Sequence, residues 1–272
     1  MFDGKERFRY IRGGTRMEKC ARDLERIMPA HSEQGSICGR GGGKPTVTPI
    51  DDLSAVIPAY NAARHLPGVI DRVARHVRRD RIVVVDDGSA DETRAVAAKA
   101  GATVVAHPQN QGKGAAIRTG LARAGDLGPA FTILLDADGQ HNPDEIPDFV
   151  AKQRETNADM VVGNRLVRAA NMPWLRKATN HVTSAVVSLL AGRRVPDSQN
   201  GYRLVRLSHF KKFPLTTNRY EIESEMIIRA GRAGGKIASV PVETIYGDEK
   251  SFINPFVDTG RFLRMVGKSF FW

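Results

Sequence analysis

Cysteine is scarce: Cys20 and Cys38 are the only two among 272 residues, and both lie near the N-terminus. They match no zinc spacing, and a secreted disulfide framework would carry more, so a reduced cytoplasmic setting is the expectation. No apolar run reaches the roughly 18 residues that a membrane-spanning helix needs. Residues 1–14 are basic and polar where a secretory leader would be apolar. Membrane contact is therefore expected at a surface and not across it. Zinc-finger, basic-zipper and RNA-recognition signatures are missing, which argues against nucleic acid as a partner. The first strand exit lacks Gly-x-Gly-x-x-Gly, against a nicotinamide fold, and Asn110-Gln111-Gly112-Lys113-Gly114 lacks the Walker spacing. Acids are also short, with 30 Asp and Glu against 41 Lys and Arg, a net charge of +11. That excess implies an anionic partner such as a phosphorylated substrate or a membrane surface.

The length admits one large α/β domain with an extension. Residues 1–50 are rich in Arg, Lys and Gly, including Gly41-Gly42-Gly43, and read as a flexible arm. It is either a tether to anionic lipid or an extension without a role. From Leu53 the pattern changes. Apolar runs at 53–57, 81–85, 103–106, 131–135 and 159–163 alternate with helical spacing at 62–77, 92–100, 113–124 and 143–154. A further strand is expected over 236–242. Continuous apolar strands alternating with helices predict a doubly wound, mostly parallel sheet flanked by helices over 51–254. Residues 181–191 are apolar nearly all round, which suits a core helix or one at an interface. Residues 255–272 mix Phe, Leu and Trp with Arg and Lys, an amphipathic helix suited either to a membrane surface or to docking on the domain.

In such sheets ligands bind at the carboxyl ends of strands. Tyr60, Asp86, Asp87, Asp136 and Asp138 all fall there. The stretch Asp136-Ala137-Asp138-Gly139-Gln140 follows the apolar run 131–135. Two carboxylates at a buried strand exit need compensation. Asp136, Asp138 and the amide oxygen of Gln140 are hard oxygen donors that suit Mg or Mn bridging to phosphates. The same residues also read as an ordinary strand-end turn.

Four motifs in order carry a resemblance: Val56-Ile57-Pro58-Ala59-Tyr60-Asn61, Val85-Asp86-Asp87-Gly88-Ser89, Asn110-Gln111-Gly112-Lys113-Gly114 and Asp136-Ala137-Asp138-Gly139-Gln140-His141. Together they resemble family 2 glycosyltransferases, and within them the dolichyl- or polyprenyl-phosphate mannosyl- and glucosyltransferases. The resemblance runs from about Leu53 to Asp258. It implies a GT-A fold and a nucleotide sugar donor, GDP-mannose or UDP-glucose, used with Mg or Mn. It implies that Pro58, Tyr60 and Asp87 hold the nucleoside and that Asp136, Ala137, Asp138 and Gln140 form the metal and diphosphate site. Arg165 would lie near the sugar or phosphate, and Arg176 would meet the acceptor phosphate unless it is a solvated neighbour of Lys177. Arg203, in Asp197-Ser198-Gln199-Asn200-Gly201-Tyr202-Arg203, would shape the sugar and acceptor site or serve structurally. Lys250 would contact phosphate from a mobile lid. Two positions depart from the family pattern: Ala62 replaces a glutamate, and Tyr202 replaces a phenylalanine.

The implied reaction is inverting transfer of a hexose to a polyprenyl phosphate or other lipid acceptor, by a peripheral enzyme on the cytoplasmic face of the membrane. Asp138 and Arg165 would be catalytic. A phosphate acceptor is already ionised, whereas a saccharide or glycolipid hydroxyl would need a base, for which Asp197 or Glu223 is the candidate. Acids in the stretch Glu221-Ile222-Glu223-Ser224-Glu225 also simply suit the first turn of a helix for its dipole, the reading that Glu221 favours. A non-catalytic scaffold is the remaining alternative.

Overall fold

The computed structural model describes residues 49–243, apart from 169–173, together with Ile245 and residues 255–272. Residues 1–48 and the expected lid over 246–251 lie outside the described residues.

Seven strands form one sheet: β1 (Leu53–Ala59), β2 (Ile82–Asp86), β3 (Thr103–Ala106), β4 (Phe131–Leu134), β5 (Met160–Asn164), β6 (Arg203–Arg206) and β7 (Ile237–Pro241). Their order is β3-β2-β1-β4-β6-β5-β7. Every pairing is parallel except those of β6, which runs against both β4 and β5. The helices are α1 (Leu66–Val73), α2 (Thr93–Lys99), α3 (Lys113–Asp126), α4 (Ile146–Thr156), α5 (Trp174–Ala191), α6 (Leu207–Phe210), α7 (Ile222–Arg232) and α8 (Pro255–Ser269).

Successive strand residues point to opposite faces, and both faces are covered. Ala55, Ile57, Ile82, Val84 and Ile133 pack with Leu66, Ile70, Ile146 and Phe149 of α1 and α4. Val56, Val83, Val85, Leu134 and Val162 pack with Ile117 of α3, Val187 of α5, Met226 of α7 and Met265 of α8. This double burial is why the strands read as unbroken apolar runs.

Several boundaries differ from the expected ones, each for a local reason. The helix expected over 62–77 shortens to α1 because Ala62 N–H donates to Thr93 Oγ1 and Ala63 N–H to Asp91 Oδ2. Those amides tie the segment to the start of α2, and Pro67 then begins the helix. The helix expected from Pro143 opens with a 3-10 turn, Pro143–Glu145, capped by Asn142, before α4 ends at Asn157 in a left-handed conformation. α5 begins at Trp174, a full two turns before the apolar stretch. β6 was not expected at all.

At the far end, Arg232 donates to the carbonyls of Leu190 on α5 and Ser269 on α8, and Arg229 lies 4.0 Å from the Trp272 ring centroid. Phe270 and Phe271 beside this clasp are 70% and 91% exposed. No helix among the described residues is long and apolar enough to cross a membrane.

α3 lies so close to β1 and β2 that a methyl group at Gly120 would overlap Val56 and press on Val85. Gly120→Ala is therefore expected to cost about 1–3 kcal/mol through overpacking, despite the better helix propensity of alanine. Urea denaturation followed by circular dichroism measures it, and an unchanged midpoint would show that α3 can lift away.

Candidate active site

The site assembles where the parallel strands end. β4 runs out at Leu134, and the amide of Leu135 still donates to Val56 O at 3.2 Å, so the strand direction carries to Asp136. The Asp136 N–H donates to His141 Nδ1 at 3.1 Å, folding 136–141 into a tight turn. His141 stacks on Tyr202 at 5.0 Å, and the Tyr202 hydroxyl donates to Asn142 O at 3.0 Å. The extra hydroxyl at this departure from the family's phenylalanine therefore braces the same turn.

Lys113, the first residue of α3, lies between two acids. Its Nζ is 2.7 Å from Asp136 Oδ1 and 2.7 Å from Glu223 Oε1. Burial disfavours its ammonium, but Asp136 and Glu223 outweigh that and hold its pKa above the ordinary lysine value. Burial likewise opposes ionisation of Asp136, yet Lys113, with His141 and Arg165 behind it, keeps its carboxyl below the usual range. Asp138 is different. Its Oδ1 accepts the Gln140 amide at 2.9 Å, and no lysine or arginine among the described residues forms an ion pair with it. Burial and the charge of Asp136 push its carboxyl up. A half-compensated pair of hard oxygen donors is the environment a divalent cation would complete, so Asp136 and Asp138 fit Mg or Mn. No group of three or more Asp, Glu, His or Cys converges among the described residues. Further ligands would come from the Gln140 amide and from substrate oxygens.

Arg165 follows β5 and is gripped by Asp197. Its Nε and Nη2 donate to the two carboxylate oxygens at 2.8 and 3.0 Å, and its backbone N–H adds a third bond at 3.2 Å. Asn180 of α5 donates to the same carboxylate at 2.9 Å. Asp197 is fully buried. Burial opposes its charge, and Arg165 overcomes that to hold its pKa below the usual aspartate value.

The structure places three of the expected site residues in buried, bonded positions. Asp197 anchors Arg165, with both carboxylate oxygens engaged. Arg203 is only 1% exposed and donates to the carbonyls of Asn200, Ser198 and Glu223, so it builds the turn into β6, the structural one of its two expected roles. Asp87 is 3% exposed, with its oxygens accepting the Gln111 and Gly112 amides at 2.9 and 2.8 Å and pairing with His107 at 2.6 Å. It holds the loop that delivers Lys113. Tyr60 stands 45% exposed at the end of β1, beside half-buried Pro58. Ala137 is buried between the two acids. The side chain of Arg176 and the whole of Lys250 lie outside the described residues.

Lys113 was missed as a site residue. Its motif entered as part of the family resemblance, and nothing local in sequence pairs it with Asp136 and Glu223.

Sheet, flanking helices and acidic strand exit define a glycosyltransferase with a GT-A fold. The chain belongs to glycosyl transferase family 2, whose model matches residues 54–218. It is 34% identical over 213 residues to the UDP-N-acetylglucosamine–dolichyl-phosphate N-acetylglucosaminyltransferase of Methanococcus voltae, covering 70% of this chain and 84% of that protein. It is 29% identical over 227 residues to the polyprenol monophosphomannose synthase of Mycolicibacterium smegmatis, covering 79% and 84%. The fold is that of glucosyl-3-phosphoglycerate synthase from Mycobacterium tuberculosis, solved with Mn2+, uridine diphosphate and glucosyl-3-phosphoglycerate. The TM-score is 0.60 at 21% identity, covering 80% of this chain and 78% of that one.

Asp197→Asn is expected to cost about 3 kcal/mol, as for a broken buried pair. The folded pKa of Asp197 lies below its unfolded value, so this stability is present above pH of about 4 and disappears as pH falls through the folded value. Urea denaturation between pH 7 and 3 should show a flatter acid slope for the variant than for the native chain.

Proposed function

We propose that this protein transfers a hexose from a nucleoside diphosphate sugar to a polyprenyl phosphate, with inversion and with a divalent cation. The carrying observation is that both carboxylates able to act as a base are bound to cations: Glu223 to Lys113 and Asp197 to Arg165. A hydroxyl acceptor needs a base to take its proton, and Asp197 and Glu223 are the carboxylates the sequence offered for that role. A phosphate monoester does not, because it is already anionic near neutral pH.

In this reading an acceptor phosphate oxygen forms a bond to the anomeric carbon on the face opposite the diphosphate. The bond from that carbon to the diphosphate oxygen breaks, and the nucleoside diphosphate leaves as an anion. A cation held by Asp136, Asp138 and Gln140 would supply Lewis-acid stabilisation of that leaving group. Arg165, fixed in one orientation by Asp197, adds a preorganised positive charge, which is the efficient form of electrostatic catalysis. Tyr60 and Pro58 at the exit of β1 are suited to the nucleoside, and Lys250 and Arg176 to phosphates of donor and acceptor. The relatives named for dolichyl-phosphate and polyprenol substrates support the acceptor class. Exposed Leu263, Phe270 and Phe271, near Arg264 and Lys268, support peripheral docking on a membrane surface, which in this reading is the cytoplasmic face.

Two measurements test this. With Mn2+ and a panel of GDP- and UDP-sugars, transfer to a short polyprenyl phosphate should rise with pH through the second phosphate ionisation near 6 and then level. A rate that needs a further basic group, or an acceptor set of saccharides alone, would overturn the phosphate reading. Asp138→Asn should lower metal-dependent turnover at least about 100-fold, and native turnover untouched by chelators would remove the metal.

A further inference from the structure

Lys113 sits where a cation is wanted, and it is a monovalent one. Its ammonium covers Asp136 Oδ1 at 2.7 Å, whereas Asp138 of the same turn has only a backbone amide as its partner among the described residues. A divalent ion bridging the two aspartates would stand against that ammonium, two positive centres sharing one carboxylate. Repulsion at such a separation is several times thermal energy even at an effective dielectric of about 20. The ammonium therefore has to leave Asp136, and a destination is built beside it. Glu223 Oε1 already lies 2.7 Å away, and the Tyr220 ring faces the ammonium at 5.9 Å. Room for the movement comes from Gly201, where an added methyl would stand 3.1 Å from Asp136 Oδ2, Glu223 Oε1 and Lys113 Nζ alike. The lysine stem starts from a fixed point, since the Asp87 carboxylate clamps the Gln111 and Gly112 amides and the Gly114 N–H donates to Asn218 O at 2.8 Å.

We infer that Lys113 is a resident counter-cation that neutralises Asp136 before a divalent ion arrives and moves fully onto Glu223 as it binds, so that Lys113 and Glu223 set the affinity of the site for metal. The inference rests on the proposed metal site at Asp136 and Asp138. Lys113 and Glu223 are positioning residues in this scheme, acting on the ion through Asp136. The device keeps the half-buried aspartate paired at every stage, since an uncompensated charge away from water is costly. It also discourages the ion from binding without the diphosphate that would add the missing negative charge.

The test is a double-mutant cycle on Mn2+ affinity, measured by electron paramagnetic resonance of free Mn2+ on the full chain without nucleotide. Lys113→Met should tighten Mn2+ at least roughly tenfold, the removal of one adjacent unit charge. Glu223→Gln should weaken it severalfold in the native background and have little effect in the Lys113→Met background, because the seat matters only when a lysine needs it. Equal weakening in both backgrounds would overturn the inference, showing that Glu223 acts only by its own charge. Unchanged or weaker binding in Lys113→Met would overturn it as well, and Lys113→Gln repeats the measurement if the methionine variant does not fold. Asp138→Asn separates the two levels of the argument: native Mn2+ binding that survives this change removes the metal site itself, and the inference with it. Binding seen in Lys113→Met but not in the native chain would support the inference in its strongest form.

Discussion

Positive charge at the exit of β4 is the constraint around which the molecule is arranged. Two half-buried aspartates follow a strand that is apolar and buried, and the charge of Asp136 is compensated there by Lys113. The chain answers from several directions. α3 brings Lys113 to Asp136, β5 brings Arg165, and α7 brings Glu223 to balance the lysine. Each of these is positioned by a second buried group: Asp87 behind Lys113, Asp197 behind Arg165, and the Arg203 guanidinium beneath the Glu223 carbonyl. The result is an alternation of sign, which lets several ionised groups share a small, poorly hydrated volume.

That alternation also organises the proposed chemistry. Leaving groups in diphosphate sugar transfer depart as anions, so what the site must supply is positive potential in a fixed place. A guanidinium held by a fully buried carboxylate, which an asparagine steadies in turn, does not need to reorient during the reaction, which is the property that makes preorganised charge effective. The same alternation has Asp197 and Glu223 each holding a cation in place.

Much of the fold was legible because burial on both sheet faces leaves a plain signature. Val83, Val84 and Val85 could only be an interior strand, and the acids after β2 and β4 marked the functional edge. The sequence was less transparent where polar residues are buried. β6 reads Arg-Leu-Val-Arg, and its arginines hide a strand because their guanidinium groups are satisfied by carbonyls, by Asp159 and by the Phe131 ring. Asp87 read as a nucleoside contact because acids at strand exits often meet ligands, and its bonds to Gln111 and Gly112 were not legible because those residues come from a later loop. Lys113 could not be placed beside Glu223 from sequence, since the contact closes a loop of more than a hundred residues. Long-range ion pairs leave no periodicity to read.

The reversed direction of β6 has a consequence for how the pocket is joined together. Its N-terminal end, not its C-terminal end, meets the edge where the other strands finish, so the turn over 197–202 reaches the pocket from α5 and not from a parallel crossover. The exits of β1 and β2 are threaded through α1, α2 and α3 and share no segment with that turn. Asp197, Gly201 and Tyr202 of that one turn nevertheless reach Arg165, Lys113 and the 136–141 turn, so a single antiparallel hand-over links the two halves of the sheet's working edge like the pin of a hinge.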